Sequence, residues 1–497
     1  MALSIQQLRE DLESFAEALS REEYLTRAGL KEESGAAAIR ERYALLGSRA
    51  VFEEIWAAAQ AAPEAEGARR LAALAEFLGT TCVEYQARAA NDQLATSEAN
   101  QSLTLDGERL PLRSAESRIR NEPDRSRRAA LEAARLCAVA ELNDLRQEIL
   151  EAHHREAVRL GFPGYTACCQ ALSGIDLAAL RGLTQPILAR SQDMYADVLT
   201  WHLRRWVGVP PREARRHDLA RLFRAPEFDR SLPASRLREA TEGPVRRMGI
   251  DPRAGGRIRV DDAARPRKTP RAFVATPRVP DEVILVVRPE GGGPDDYAAF
   301  LHELGHALHF AHIEGGAAVE DRRLGDASVT ESYAFLLDGL LRERGWLKRF
   351  AGVSQPRDIL RFAALHKLWL LRRYAAKLDY ELLLHAEGPG ARAAEAYREL
   401  LSRATLVEWP AEPYLADVDP FFYAARYLRA WIFEARLRDL LRDRFDEEWY
   451  RNDRTGPFLL ALWHQGQRHR LEDLARELGI GDPSIEPLLK QIADDLA

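Results

Sequence analysis

The chain has 497 residues, 46% of them hydrophobic and 30% charged, with a formal net charge of −6. That is ample material for a large core, and it excludes a wholly disordered chain, whose composition could not bury one. So small a net charge gives no bulk signal for nucleic acid, and none is expected as a partner.

The N-terminal stretch MALSIQQLREDLESFAEAL carries charges from Arg9 onward and has helical periodicity, so it does not read as a signal peptide. From Ile5 to about Ile250 the pattern is helical nearly throughout, as in ARRLAALAEFL (Ala68–Leu78) and Leu145–Leu160. Breaks fall at Gly161–Gly164 and Val209–Pro211. Cys82, Cys137, Cys168 and Cys169 show neither metal nor disulfide spacing, which suits a reducing compartment. No apolar run is long enough to span a membrane, and no membrane is expected as a partner. A cytoplasmic location is the simplest expectation. Arginine is dense between Arg204 and Arg278, in REARR (Arg212–Arg216) and RPRKTPR (Arg265–Arg271), and reads as a solvated face, with a preference for acidic substrates as the alternative.

The texture changes at Asp251, which divides the chain into an N-terminal helical region, 1–250, and a second region, 251–497, of one continuous unit. Two β-branched runs, FVAT (Phe273–Thr276) and EVILVV (Glu282–Val287), predict a small antiparallel strand pair. Gly291–Gly293 and Pro294 close it, and a helix over 295–314 follows with Asp295 or Asp296 as N-cap. Further helices are predicted over 328–347, 356–387, 391–404, 420–446 and 456–480, so the fold class is mostly α with a small antiparallel β element.

The helix over 295–314 contains LHELGHALHFAH, with His302, His306, His309 and His312. His302, Glu303 and His306 form HExxH. Residues four apart on a helix differ by about 40° and about 6 Å along the axis, so both imidazoles can face one cation. Glu303 projects beside them, towards a water on the metal. Zinc then needs a third protein ligand. His312 has the spacing of a metzincin ligand, but that pattern requires glycine where His309 stands. On a helix continuing to Gly315 it lies about 240° round from His306 and faces away. His309 reads as packing. Glu331, early on the next helix, reads as the third ligand, although Ser328–Glu331 also reads as a capping box. Asp338, seven residues on, shares its face and can orient a histidine.

These residues resemble the thimet oligopeptidase and oligoendopeptidase family, to which angiotensin-converting enzyme is related. The resemblance rests on HELGHALH and a glutamate 25 residues further on, and covers roughly residues 255–440. It implies a large two-lobed helical body with a deep central cleft, a β element beside the zinc, one zinc ion per chain, and hydrolysis of short peptides. PRAFVATPRVPDEVILVV (Pro270–Val287) resembles the strand that pairs with substrate, giving Ala272 and Phe273 as main-chain contacts. DPFFYAARYLRAWIFEARL (Asp419–Leu437) resembles the tyrosine-bearing helix, with Tyr427 as oxyanion donor and Tyr423 as substrate contact. The family's histidine before these tyrosines is missing; Asp417 and Asp419 stand in that region. The alternative is a catalytically inactive helical peptide-binding protein that retains a metal site. The sequence does not fix the oligomeric state.

Overall fold

The computed structural model describes residues 4–105 and 107–496. It is mostly helical, with two small sheets. No helix among the described residues is long and apolar enough to cross a membrane.

Two compact units form, each assembled from separated segments. The first comprises Met1–Gly79, Glu227–Ala363 and Arg429–Leu488; the second comprises Thr80–Pro226, Ala364–Leu428 and Leu489–Ala497. Residue 250, where the sequence texture changes, lies inside the Glu227–Ala363 segment of the first unit. The reason is long-range packing. Helix α1 (Ile5–Arg27), begun by Ser4 accepting from the Gln7 amide, belongs to the same unit as the sheet more than 200 residues on. Its Tyr24 and the following Ala28 are buried in one cluster with Phe273, Ala275, Ile284 and Val286.

In the second unit a hairpin, β1 (Ser102–Leu105) and β2 (Glu108–Pro111), interrupts the stretch read as helical; its four-residue strands are too short to show a two-residue period. The same unit holds His153, His154 and His202 as packing residues. His153 and His154 stack on Tyr165, and His202 Nδ1 bonds the Val198 carbonyl. Here Arg216 pairs with Glu116 and Glu132, so part of the arginine-dense stretch is structural.

The sheet of the first unit has the order β3 (Ile258–Asp261), β5 (Glu282–Val286), β4 (Phe273–Arg278). The expected antiparallel pair is there, in the register Phe273↔Val286, Val274↔Leu285 and Ala275↔Ile284. β3, a strand the sequence pattern did not reveal, adds in parallel on the other side of β5. That leaves β4 at an edge.

Helix α2 (Pro294–Ala311) follows the glycine-rich turn. It begins one residue earlier than expected, with Pro294 at the first helical position, where its missing N–H costs nothing. Neither Asp295 nor Asp296 is the cap. Asp296 instead accepts from the Glu290 and Gly292 amides at 2.9 and 2.7 Å, bracing the turn. A Cβ on Gly292 would meet the Leu232 carbonyl at 2.4 Å, so glycine is required there. α2 also ends earlier than expected, at Ala311, because the chain turns out to bond Glu314 N to the His464 carbonyl. Helix α3 (Ala327–Asp338) is capped by Asp326, which accepts from Ser328 N at 3.0 Å. The longer helix expected there breaks into α3, a tight turn over Gly339–Arg342, and Arg344–Arg349. Helices Arg357–Glu387 and Ala391–Thr405 match expectation closely. α4 (Tyr423–Arg444) starts three residues late, and 456–480 is split into Thr455–His464 and Leu471–Glu477.

Candidate metal centre

α2 buries Tyr297, Phe300, Leu301, Leu304, Ala307, Leu308 and Ala311, the three- and four-residue spacing of one apolar stripe. Packing that stripe leaves His302, Glu303 and His306 only half-buried. Gly305 lets α3 come unusually close: a Cβ there would lie 2.6 Å from Ala334 Cα and 2.7 Å from the Tyr333 carbonyl oxygen. Because the two backbones nearly touch, Glu331 on α3 sits directly opposite the histidine pair.

Each imidazole is held by its Nδ1. His302 Nδ1 donates to Asp338 Oδ2 at 3.0 Å, and His306 Nδ1 is hydrogen-bonded to Thr330 Oγ1 at 2.8 Å. Both Nε2 atoms therefore turn the other way, and each lies 3.5 Å from Glu331 Oε2. Among the described residues, His302, His306 and Glu331 form the group able to hold a metal ion, their ligand atoms all within 4.8 Å of one another. Burial would push Glu331 towards its neutral form, but the charges of His306 and His302 win, and the carboxyl is held far below the usual glutamate range. Burial likewise works against a charged His302, yet hydrogen bonds to Asp338 and Glu331 raise it well above the ordinary histidine value.

Glu303 makes no hydrogen bond or ion pair among the described residues; its charge acts on Arg27 of α1. His309 is fully buried, edge-on to Tyr333 with ring centres 5.1 Å apart, and burial holds it neutral by pushing its pKa down to about 3. His312 stands outside the cluster, its Nδ1 bonded to the Leu308 carbonyl at 2.8 Å. The capping-box reading of Ser328–Glu331 is replaced, since Asp326 caps α3 and leaves Glu331 to the histidines.

Phe273 begins β4, and its ring is buried with Tyr24 and Ala275 under α1. Ala272, just before β4, is half-buried. Tyr423 and Tyr427 belong to the second unit, their rings edge-to-face at 5.0 Å, and Tyr427 meets Tyr374 at 5.4 Å. Asp417 there accepts from Arg373 and Tyr397 at 2.6 and 2.7 Å, and Asp419 pairs with Lys377 at 2.9 Å; these acids serve an internal ion network.

Sequence reasoning missed Thr330, Gly305 and Arg429. Arg429 clamps the start of α3 through Asp326 and Ser328 while pairing with Glu472. Thr330 had one signal, its place beside Glu331. Gly305 had another, a glycine inside a strong helical pattern.

No family model matches the sequence, and no curated protein matches it. The fold does match solved structures. A protein described as an oligoendopeptidase F, from Bacillus anthracis strain Ames, superposes with a TM-score of 0.65 at 15% identity, over 99% of this chain and 96% of that one. PZ peptidase A in complex with an inhibitor gives 0.69 at 15% identity, over 100% and 97%. A second structure described as an oligoendopeptidase F gives 0.69 at 14%, over 100% and 96%. The chain thus has the mostly helical fold of these peptidases along its whole length.

Proposed function

We propose that the protein is a zinc-dependent peptidase acting on short peptides, with one zinc ion per chain held by His302, His306 and Glu331. The observation that carries this is the pair of Nε2 atoms turned onto Glu331 while both Nδ1 atoms are tied behind. Two imidazole nitrogens and one carboxylate oxygen fit zinc with a coordination position left open. Zinc, when bound, supplies a Lewis acid that polarises the scissile carbonyl and acidifies water.

The chain's own residues do the rest. Asp338 and Thr330 hold the two Nδ1 atoms, which fixes both histidines as Nε2 ligands and sharpens their orientation. Glu303 takes a proton from the attacking water on a carboxylate oxygen and returns it to the leaving amine. The edge of β4 near Ala272 holds peptide in extended form by main-chain pairing. Tyr427 donates to the developing oxyanion and Tyr423 touches substrate, roles taken from the resemblance of the α4 sequence. A cytoplasmic location belongs to the same proposal.

The experiment is hydrolysis of a mixed peptide library by wild type and Glu303→Gln. The variant keeps size and should keep the metal, yet lose roughly 10²–10⁴-fold in rate. A Glu303→Gln enzyme with wild-type rates removes Glu303 as the base. A wild type that binds these peptides without cutting any of them is a peptide-binding protein instead.

A further inference from the structure

Arg27, in the last turn of α1, stacks its guanidinium on the ring of Phe273 at 3.9 Å from the ring centre. Arg271 stands two residues before Phe273, and both arginines are exposed. Several arginines nearby in the first unit find carboxylates, Arg21 with Glu282, Arg265 with Asp261, Arg267 with Glu32 and Arg323 with Glu13, while Arg259 and Arg288 donate to the Tyr24 hydroxyl and the Lys268 carbonyl. Neither Arg27 nor Arg271 forms an ion pair among the described residues. They repel one another, and Glu23 and Glu303 act on Arg27 only at a distance. Two exposed guanidinium groups, neither paired with a carboxylate, thus belong to the Phe273 end of β4.

The edge of β4 points to the same end. Thr276 N donates to Ser20 Oγ at 2.8 Å, and Arg323 donates to the Thr276 and Pro277 carbonyls at 2.7 Å each. That end of the edge is already satisfied. The two-residue alternation of a strand turns the amides of Val274 and Ala272 to the same edge as Thr276. A peptide strand added there runs towards Arg27 and Arg271.

We propose that Arg27 and Arg271 form a carboxylate-anchoring site at the Phe273 end of β4, receiving an anionic group of the bound peptide; this rests on the peptidase reading above. A guanidinium fork matches a carboxylate in bidentate fashion, and stacking on Phe273 holds the Arg27 fork ready. The carboxylate comes either from the peptide's C-terminus or from an Asp or Glu side chain.

The test uses one cleavable peptide in three forms: free C-terminus, C-terminal amide, and amide with an acidic residue placed near the end. Each is assayed with wild type, Arg27→Gln, Arg27→Lys and Arg271→Gln, with thermal melts confirming folding. In wild type, amidation should raise KM about tenfold with kcat little changed, and Arg27→Gln should abolish that difference. Arg27→Lys keeps the charge but not the fork and should restore it only in part, which distinguishes anchoring from packing on Phe273. Recovery of low KM by the acidic amide assigns the carboxylate to a side chain; failure to recover assigns it to the C-terminus. Equal KM for all three forms in wild type overturns the anchor while leaving the peptidase intact. Hydrolysis of none of them overturns the peptidase reading and the anchor with it.

Discussion

At the scale of single residues, His306 shows how much a second partner decides. Its Nε2 faces Glu331 because its Nδ1 is bound to Thr330 at 2.8 Å. Thr330→Val keeps the shape and removes the hydroxyl, leaving His306 Nδ1 without its partner and the ring free to turn. We expect zinc affinity to fall about 10–100-fold, measured by competition with a chelator of known affinity. Asp338→Asn should act in the same direction through His302. Unchanged affinity in both variants would remove the orienting role. The HExxH histidines, Glu331 and Asp338 were legible because spacing on a helix fixes direction. Thr330 was not, since a hydroxyl beside a ligand looks like any other helix threonine. The covering of the Phe273 side of β4 was not legible either, because a strand's pattern does not say which face a helix will cover. α1, from the far end of the chain, covers that one.

At the scale of elements, the contact of α2 with α3 sets the distance across the site. Gly305→Ala places a methyl group 2.6 Å from Ala334 Cα, against backbone that cannot swing aside. The helices must part, and Glu331 must withdraw from the histidines. We expect a loss of about 1–3 kcal/mol in a denaturant titration and a weakened metal site, although alanine is the better helix former. A variant as stable as wild type, with full metal affinity, would show that the approach is not needed. The helical periods of α2 and α3 and the β4–β5 pair could be read from the sequence. Their ends could not: α2 stops at Ala311 through a bond to His464, and α3 is capped by Asp326. Such tertiary contacts lie outside a local pattern.

At the scale of the whole molecule, the mostly helical class was legible from periodicity alone, while the grouping of segments was not. The first unit draws on three separated stretches of chain, and what ties the first of them in is the burial of Tyr24 and Ala28 against β4 and β5. The likeness to the oligoendopeptidase F and PZ peptidase structures runs over nearly the full length at about 15% identity, so it carries the fold and leaves the chemistry to the site. The claim on which that chemistry depends is that His302, His306 and Glu331 hold a zinc ion. The direct measurement is metal content per chain, by elemental analysis, of purified wild type, His306→Ala and His312→Ala. The account predicts about one zinc in wild type and in His312→Ala, and none in His306→Ala. Zinc retained by His306→Ala, or lost from a folded His312→Ala, would contradict it.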